Sequence, residues 1–300
     1  MKTRKIYLYT TMKYTKTSLL LFLVLICSIT SAQIDPSTKF ATPYGSNDAL
    51  GKYALINGAQ IYYEEYGTGE PMFLIHGNGG DIKSMENQID YFKSKYRVIV
   101  ADSRGHGKSA LNTDSLTYVQ TANDWAQLAT HLQIDSLHII GWSDGGIVGL
   151  LLGIHHPKKV KKLVMMGANL RPDTTAVYPW AVNWVQETTL MVKAKVKAND
   201  KTQNWSLMLQ HMNLLGNQPN ITHSELSSIS APVLVVAGDK DIIREEHSVE
   251  IYQHIRKAQL CILPGETHFT PATNPKLFNQ IANDFIANPF KRPDSNWTKK

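Results

Sequence analysis

The sequence predicts an α/β protein: a doubly wound, mostly parallel sheet with a small helical cap insertion. Three observations predict it. First, short and nearly continuous apolar runs recur along the chain, at Met72 to Ile75, Val98 to Ala101, Leu137 to Ile140, Leu163 to Met166, Val233 to Ala237 and Leu260 to Leu263. Parallel strands covered on both faces have this composition. Second, amphipathic segments with helical spacing separate the runs. Third, a hairpin opens the series, with Tyr53 to Ile56 and Ile61 to Tyr63 flanking Asn57-Gly58, a strong two-residue turn signal. Strand alternating with helix after such a hairpin predicts parallel crossovers.

The helical segments follow from the spacing of apolar residues. After Gly145, Ile147, Leu150, Leu151 and Ile154 fall on one face, and Pro157 closes the segment. Near the end, Leu277, Ile281 and Phe285 recur every four residues. Between about Leu170 and Ser230 the alternation breaks. Trp180, Trp184, Trp205, Met191, Met208 and Met212 lie there, with apolar residues at helical spacing and no convincing strand. This stretch is expected to form a cap over the mouth of the sheet. Aromatic and Met residues in such a pattern are most often packing, although they also suit an apolar substrate site.

The chain has 300 residues, 43% hydrophobic and 19% charged, the composition of a globular protein. We expect one α/β domain over 48–290, a loose polar lead-in over 33–47 and a polar tail over 291–300. Residues 1–32 read as a signal peptide. Lys2, Arg4, Lys5, Lys13 and Lys16 precede any acidic residue. Ser18 to Ile29 is apolar, and Thr30-Ser31-Ala32 supplies small residues before Gln33. The apolar run falls short of the roughly 20 residues a bilayer span needs. Cleavage after Ala32 is expected, giving an exported protein, periplasmic or secreted, with no stable membrane insertion.

Without that segment the net charge drops from +6 to about +1, which removes the main argument for a nucleic-acid partner. Lys158, Lys159, Lys161 and Lys162 form a basic cluster, expected to be a solvated surface turn. Cys261 is the one cysteine beyond the signal and lies in an apolar run, so it is expected in the core. No Cys or His cluster has zinc-ligand spacing, and no metal or cofactor is expected.

Gly141-Trp142-Ser143-Asp144-Gly145 joins an apolar strand to an apolar-faced helix. Glycines two residues either side of the serine permit a sharp strand-to-helix turn that lifts the hydroxyl clear of the sheet. The free N–H groups at the helix start favour developing negative charge. A serine hydroxyl needs a base, and the base needs an orienting acid. Downstream, one late strand runs into Gly238-Asp239-Lys240-Asp241, and the last runs into Pro264-Gly265-Glu266-Thr267-His268. Groups at the carboxyl ends of such strands reach a common crevice. Ser143 and His268 are thus the candidate nucleophile and base, and either Asp241 or Asp239 is the candidate acid.

These motifs, with His76-Gly77-Asn78-Gly79-Gly80 and Asp102-Ser103-Arg104-Gly105-His106-Gly107-Lys108-Ser109, make the chain resemble α/β-hydrolases from about Gly51 to Phe290. The resemblance implies a serine hydrolase. It favours Asp241 as the acid and makes the backbone N–H groups of Asn78 and Asp144 the oxyanion donors. His76 and His106 fall to loop fixing. Gly-Trp-Ser-Asp-Gly-Gly and Met-Gly-Ala-Asn, ending at Asn169, resemble the biphenyl-hydrolase-like branch, which implies a small-molecule ester substrate, some members cleaving amino-acid esters. Trp142 and Asp144 are the candidate substrate-binding residues. The Asp144 carboxylate either pairs with a substrate ammonium or caps the helix. The same three catalytic candidates serve two alternatives, a cofactor-free perhydrolase or haloperoxidase-like enzyme and a carbon–carbon bond hydrolase. A non-catalytic ligand-binding protein on the same fold is a third.

Overall fold

The computed structural model describes residues 40–293, 295–296 and 298. The expected signal peptide and the first part of the lead-in lie outside the described residues.

Eight strands form one sheet in the order β1-β2-β4-β3-β5-β6-β7-β8. They are β1 (Lys52–Ile56), β2 (Ala59–Tyr66), β3 (Glu70–Ile75), β4 (Tyr96–Ala101), β5 (Leu137–Trp142), β6 (Val160–Met166), β7 (Val233–Lys240) and β8 (Ala258–Thr267). β1 and β2 are antiparallel, as is the β2–β4 pair, and every pairing from β4 to β8 is parallel. Alternation explains why the central strands read as unbroken apolar runs. Phe73, Ile75, Ile99, Ile139, Leu163, Met165, Val233 and Val235 enter one core layer. Met72, Leu74, Val98, Val100, Ile140, Val164, Leu234 and Val236 enter the other. Helices α2 (Tyr118–His131), α3 (Asp144–His155) and α7 (Glu245–His254) supply side chains to the first layer, and α1 (Glu86–Phe92) and α9 (Pro275–Ala287), which follows the single turn α8 (Thr270–Thr273), supply them to the second.

Between β6 and β7 the chain forms helices α4 (Pro179–Lys197), α5 (Trp205–Asn217) and α6 (His223–Ser228). Helix α5 sits over the loops that follow β3 and β4. Gln210 accepts from the Leu116 N–H and donates to the Asp114 carbonyl. The His211 ring bonds the Gly105 carbonyl and stacks on His106 with 4.2 Å between centroids. Among the described residues, no helix is long and apolar enough to cross a membrane.

Three local expectations are corrected. The lead-in is held, not loose, from Phe40 onward. Tyr44 is buried, and the N–H groups of Gly45 and Asn47 donate to Glu64 at 2.9 and 3.0 Å. Glu64 is fully buried and also accepts from the Tyr62 and Tyr66 hydroxyls, both at 2.7 Å. Those donors offset the cost of placing a carboxylate inside the protein. The lysine cluster is also not simply a surface turn. Lys161 and Lys162 belong to β6, where Lys161 pairs with Glu70 at 2.7 Å. The Lys162 ammonium donates to the Phe285 and Ile286 carbonyls in the last turn of α9, where a cation meets the negative end of the helix. Cys261 is half-buried rather than fully in the core, packed at the edge of the second layer.

Candidate active site

Strand order places the candidate residues along one edge of the sheet. β3 lies between β4 and β5, so the chain crosses over in opposite directions from it, the switch point at which such sheets form a crevice. The loops after β3, β5, β6, β7 and β8 are therefore neighbours.

Ser143 lies where β5 turns into α3. Its φ of 57° and ψ of −120° are costly for a residue with a Cβ. The flanking glycines make the turn possible. A Cβ on Gly141 would stand 2.1 Å from the Gly145 carbonyl oxygen, and one on Gly145 would stand 2.0 Å from that of Ile75. The Ser143 N–H donates to the Met166 carbonyl at 2.8 Å, which ties the turn to β6.

His268 follows β8 and Asp241 follows β7. The His268 Nε2 lies 2.9 Å from the Ser143 Oγ, and its Nδ1 lies 2.7 Å from the Asp241 Oδ1. That carboxylate oxygen also accepts from the Ile243 N–H at 3.0 Å. His268 and Asp241 are buried, while Ser143 is half-buried. Because Nδ1 faces an acceptor, it carries the proton in the neutral ring. Nε2 is then left with a lone pair toward the hydroxyl, the tautomer that can take its proton. Asp239 turns instead to the Gly265 N–H at 2.9 Å, so of the two candidate acids Asp241 is the one facing the imidazole.

The β3 loop lies against the serine. A Cβ on Gly77 would meet the Ser143 Cβ at 2.9 Å and its Oγ at 3.5 Å. Asn78 follows, and its side-chain amide donates to the Asp144 carboxylate at 2.9 Å and to the His211 carbonyl at 3.4 Å. Asp144 is the first residue of α3 and is buried. Its carboxylate thus engages the β3 loop. The Tyr118 hydroxyl lies beside it in a geometry short of a well-formed hydrogen bond. Burial raises the Asp144 carboxyl to about 6, opposed by the Asn78 amide, the Tyr118 hydroxyl and the His268 ring.

Trp142 turns its indole N–H to the His268 carbonyl oxygen, at 2.7 Å. His76 accepts from the Ser103 N–H at 3.0 Å, and its Nδ1 lies 2.7 Å from the Gly77 carbonyl. The His106 Nδ1 lies 3.0 Å from the Arg104 carbonyl. Burial pushes both imidazoles below their ordinary range. These contacts join the β3 loop to the β4 loop. Among the described residues, no group of three or more His, Cys, Asp or Glu side chains is arranged to hold a metal ion.

Gly167, read in the sequence only as part of the Met-Gly-Ala-Asn motif, and Tyr118 are residues at the site whose contacts there sequence reasoning did not assign. Gly167 follows β6 with a φ of +64°, and a Cβ there would stand 2.6 Å from the His268 Nδ1 and 3.2 Å from the Asp241 Oδ2. Gly167→Ala is expected to push the ring off both partners. A misplacement of about 1 Å can cost two orders of magnitude in rate. We expect kcat to fall about a hundredfold, measured alongside thermal unfolding to confirm that the variant is folded. An unchanged kcat in the folded variant would count against this placement of the ring.

A family profile described as alpha/beta hydrolase fold matches residues 70–219. The chain is 24% identical to the serine hydrolase BPHL of Homo sapiens over 265 residues, covering 84% of this chain and 91% of that protein. It is 26% identical to the (E)-2-((N-methylformamido)methylene)succinate hydrolase of Acinetobacter baylyi, covering 77% of this chain and 96% of the relative. Among solved structures, a meta-cleavage product hydrolase from Pseudomonas fluorescens superposes with a TM-score of 0.66 at 19% identity, covering 80% of this chain and 99% of the other.

Proposed function

The chain belongs to the α/β-hydrolase family and is a hydrolase, and from that premise we propose that it cleaves small carboxylic esters through an acyl-enzyme on Ser143. The observation that carries this reading is the unbroken series from the Ser143 Oγ through both nitrogens of His268 to the Asp241 carboxylate. As the Oγ attacks the ester carbonyl, the His268 Nε2 takes its proton. Asp241 holds the ring in place and stabilises the imidazolium that forms. The backbone N–H groups of Asn78 and Asp144 receive the oxyanion, a donor of this kind being worth about 3 kcal/mol. His268 then passes the proton to the departing alcohol. Water, deprotonated by the same nitrogen, hydrolyses the acyl-enzyme and frees Ser143.

The finer substrate class rests on Asp144. A buried carboxylate one residue from the nucleophile supports a preference for esters that carry a nearby amine, such as amino-acid esters. Its carboxyl pKa of about 6 sets a pH window. Above about 6 the group is charged and attracts an ammonium. As pH falls through 6 it takes up a proton, and the preference is lost. A panel of acyl, aryl, lactone and amino-acid esters on wild type, Ser143→Ala and Asp144→Asn tests both levels. We expect Ser143→Ala to lose turnover throughout. Asp144→Asn should reduce the ratio of amino-acid ester to simple ester turnover at pH 8 to the value that wild type reaches well below pH 6. A ratio unmoved by the substitution and by pH removes the amine preference. We further propose export after cleavage following Ala32, to be tested by the mass of the exported chain.

A further inference from the structure

We infer that Trp142 is a positioning residue for the general base, clamping the His268 backbone to the nucleophile turn, rather than a residue that contacts substrate. This deepens the proposed serine chemistry and rests on it.

Both nitrogens of His268 bond to side chains, Ser143 on one side and Asp241 on the other. Those two bonds fix the ring only if the backbone carrying it is fixed as well. The bond from the Trp142 indole N–H to the His268 carbonyl oxygen, at 2.7 Å, acts on that backbone. Trp142 is the last residue of β5 and adjoins Ser143, so nucleophile and base are joined twice, once through the imidazole and once through the indole. The indole packs against the second core layer, which limits its own movement. Phe269 meets both rings edge-on, with centroids 6.1 Å from Trp142 and 5.8 Å from His268. Just beyond, the loop is anchored again, by the Thr270 hydroxyl to the Thr267 carbonyl at 2.6 Å and by the Gln88 amide to the Pro271 carbonyl at 2.8 Å. The indole bond is the anchor at the catalytic residue itself.

Trp142→Phe keeps an aromatic ring and removes the donor. The His268 carbonyl then turns toward water, and the imidazole spends less time within reach of the Oγ. Because the base acts in both acylation and deacylation, the loss falls on kcat. We expect kcat per titrated active site to fall ten- to a hundredfold with KM within twofold, since small displacements of a catalytic group are costly. The downfield proton resonance of the His268–Asp241 hydrogen bond should broaden in the variant, a signature that a general loss of stability in a folded sample does not produce. In wild type, the Trp142 indole N–H should exchange with solvent at least a hundredfold more slowly than that of the exposed Trp180. This measurement decides the matter even where the variant fails to fold. A raised KM with unchanged kcat, unchanged values of both, or indole exchange as fast as that of Trp180 would overturn the inference. The parent chemistry is judged separately by Ser143→Ala, because turnover surviving there defeats the triad whatever Trp142 does.

Discussion

Replacing His268 by alanine is expected to lower kcat by roughly ten-thousandfold or more, with KM little changed. Among the described residues, the ring is the only group bonded to both the Ser143 Oγ and the Asp241 carboxylate. Without it the hydroxyl keeps its ordinary reluctance to ionise, and the departing alcohol has no proton source. The loss should not be additive with Ser143→Ala, because residues acting as one unit fail together. Steady-state kinetics on the single and double variants checks this. A His268→Ala enzyme within tenfold of wild type would mean that another group supplies the base.

The second large effect is on folding. Gly145→Ala would place a methyl carbon 2.0 Å from the Ile75 carbonyl oxygen and 2.6 Å from its carbonyl carbon, both backbone atoms in the strand core. Neither can swing aside as a side-chain tip could, so helix α3 and strand β3 must part. Overpacking of this kind costs about 3 kcal/mol or more, a large share of a domain's net stability. We expect little folded protein, or a greatly lowered denaturation midpoint. Gly153→Ala, in the same helix, is the control. Its methyl would meet only the Ile229 side chain, at 3.2 to 3.6 Å. Alanine's better helix propensity, worth up to about 1 kcal/mol, offsets that crowding. Similar midpoints for the two variants would show that the turn tolerates more than the close approach implies.

The central strands were legible because both of their faces are buried, so every residue from Met72 to Ile75 or from Val233 to Ala237 has to be apolar. Ser143 was legible because the local covalent problem, a turn without room for side chains at Gly141 and Gly145, is written into five consecutive residues. Asp241 was favoured over Asp239 by resemblance. The structure gives the physical difference: Asp239 still belongs to β7 and accepts from the Gly265 N–H, whereas Asp241 lies just past the irregular end of the strand and faces His268. Gly167 stood out only as part of a motif of resemblance and its role could not be read locally, because what a side chain there would strike is the imidazole of His268, about a hundred residues further along the chain. For the same reason Asp144 could not be read past its residue type, as its partner Asn78 comes from the loop of a neighbouring strand. The second half of the lysine cluster was misread because β6 begins at Val160, ahead of the apolar run, while Lys158 and Lys159 do lie in the turn before it. Long lysine stems can line a strand while their ammonium groups reach Glu70 and the end of α9.

The most direct test of the account is covalent trapping. Wild-type protein treated with a fluorophosphonate, then digested and weighed by mass spectrometry, should carry one phosphonyl group on Ser143 in step with the loss of ester turnover, and His268→Ala should label far more slowly. A protein that keeps turning over esters with Ser143 unmodified, or that loses activity through a label on another residue, would contradict it.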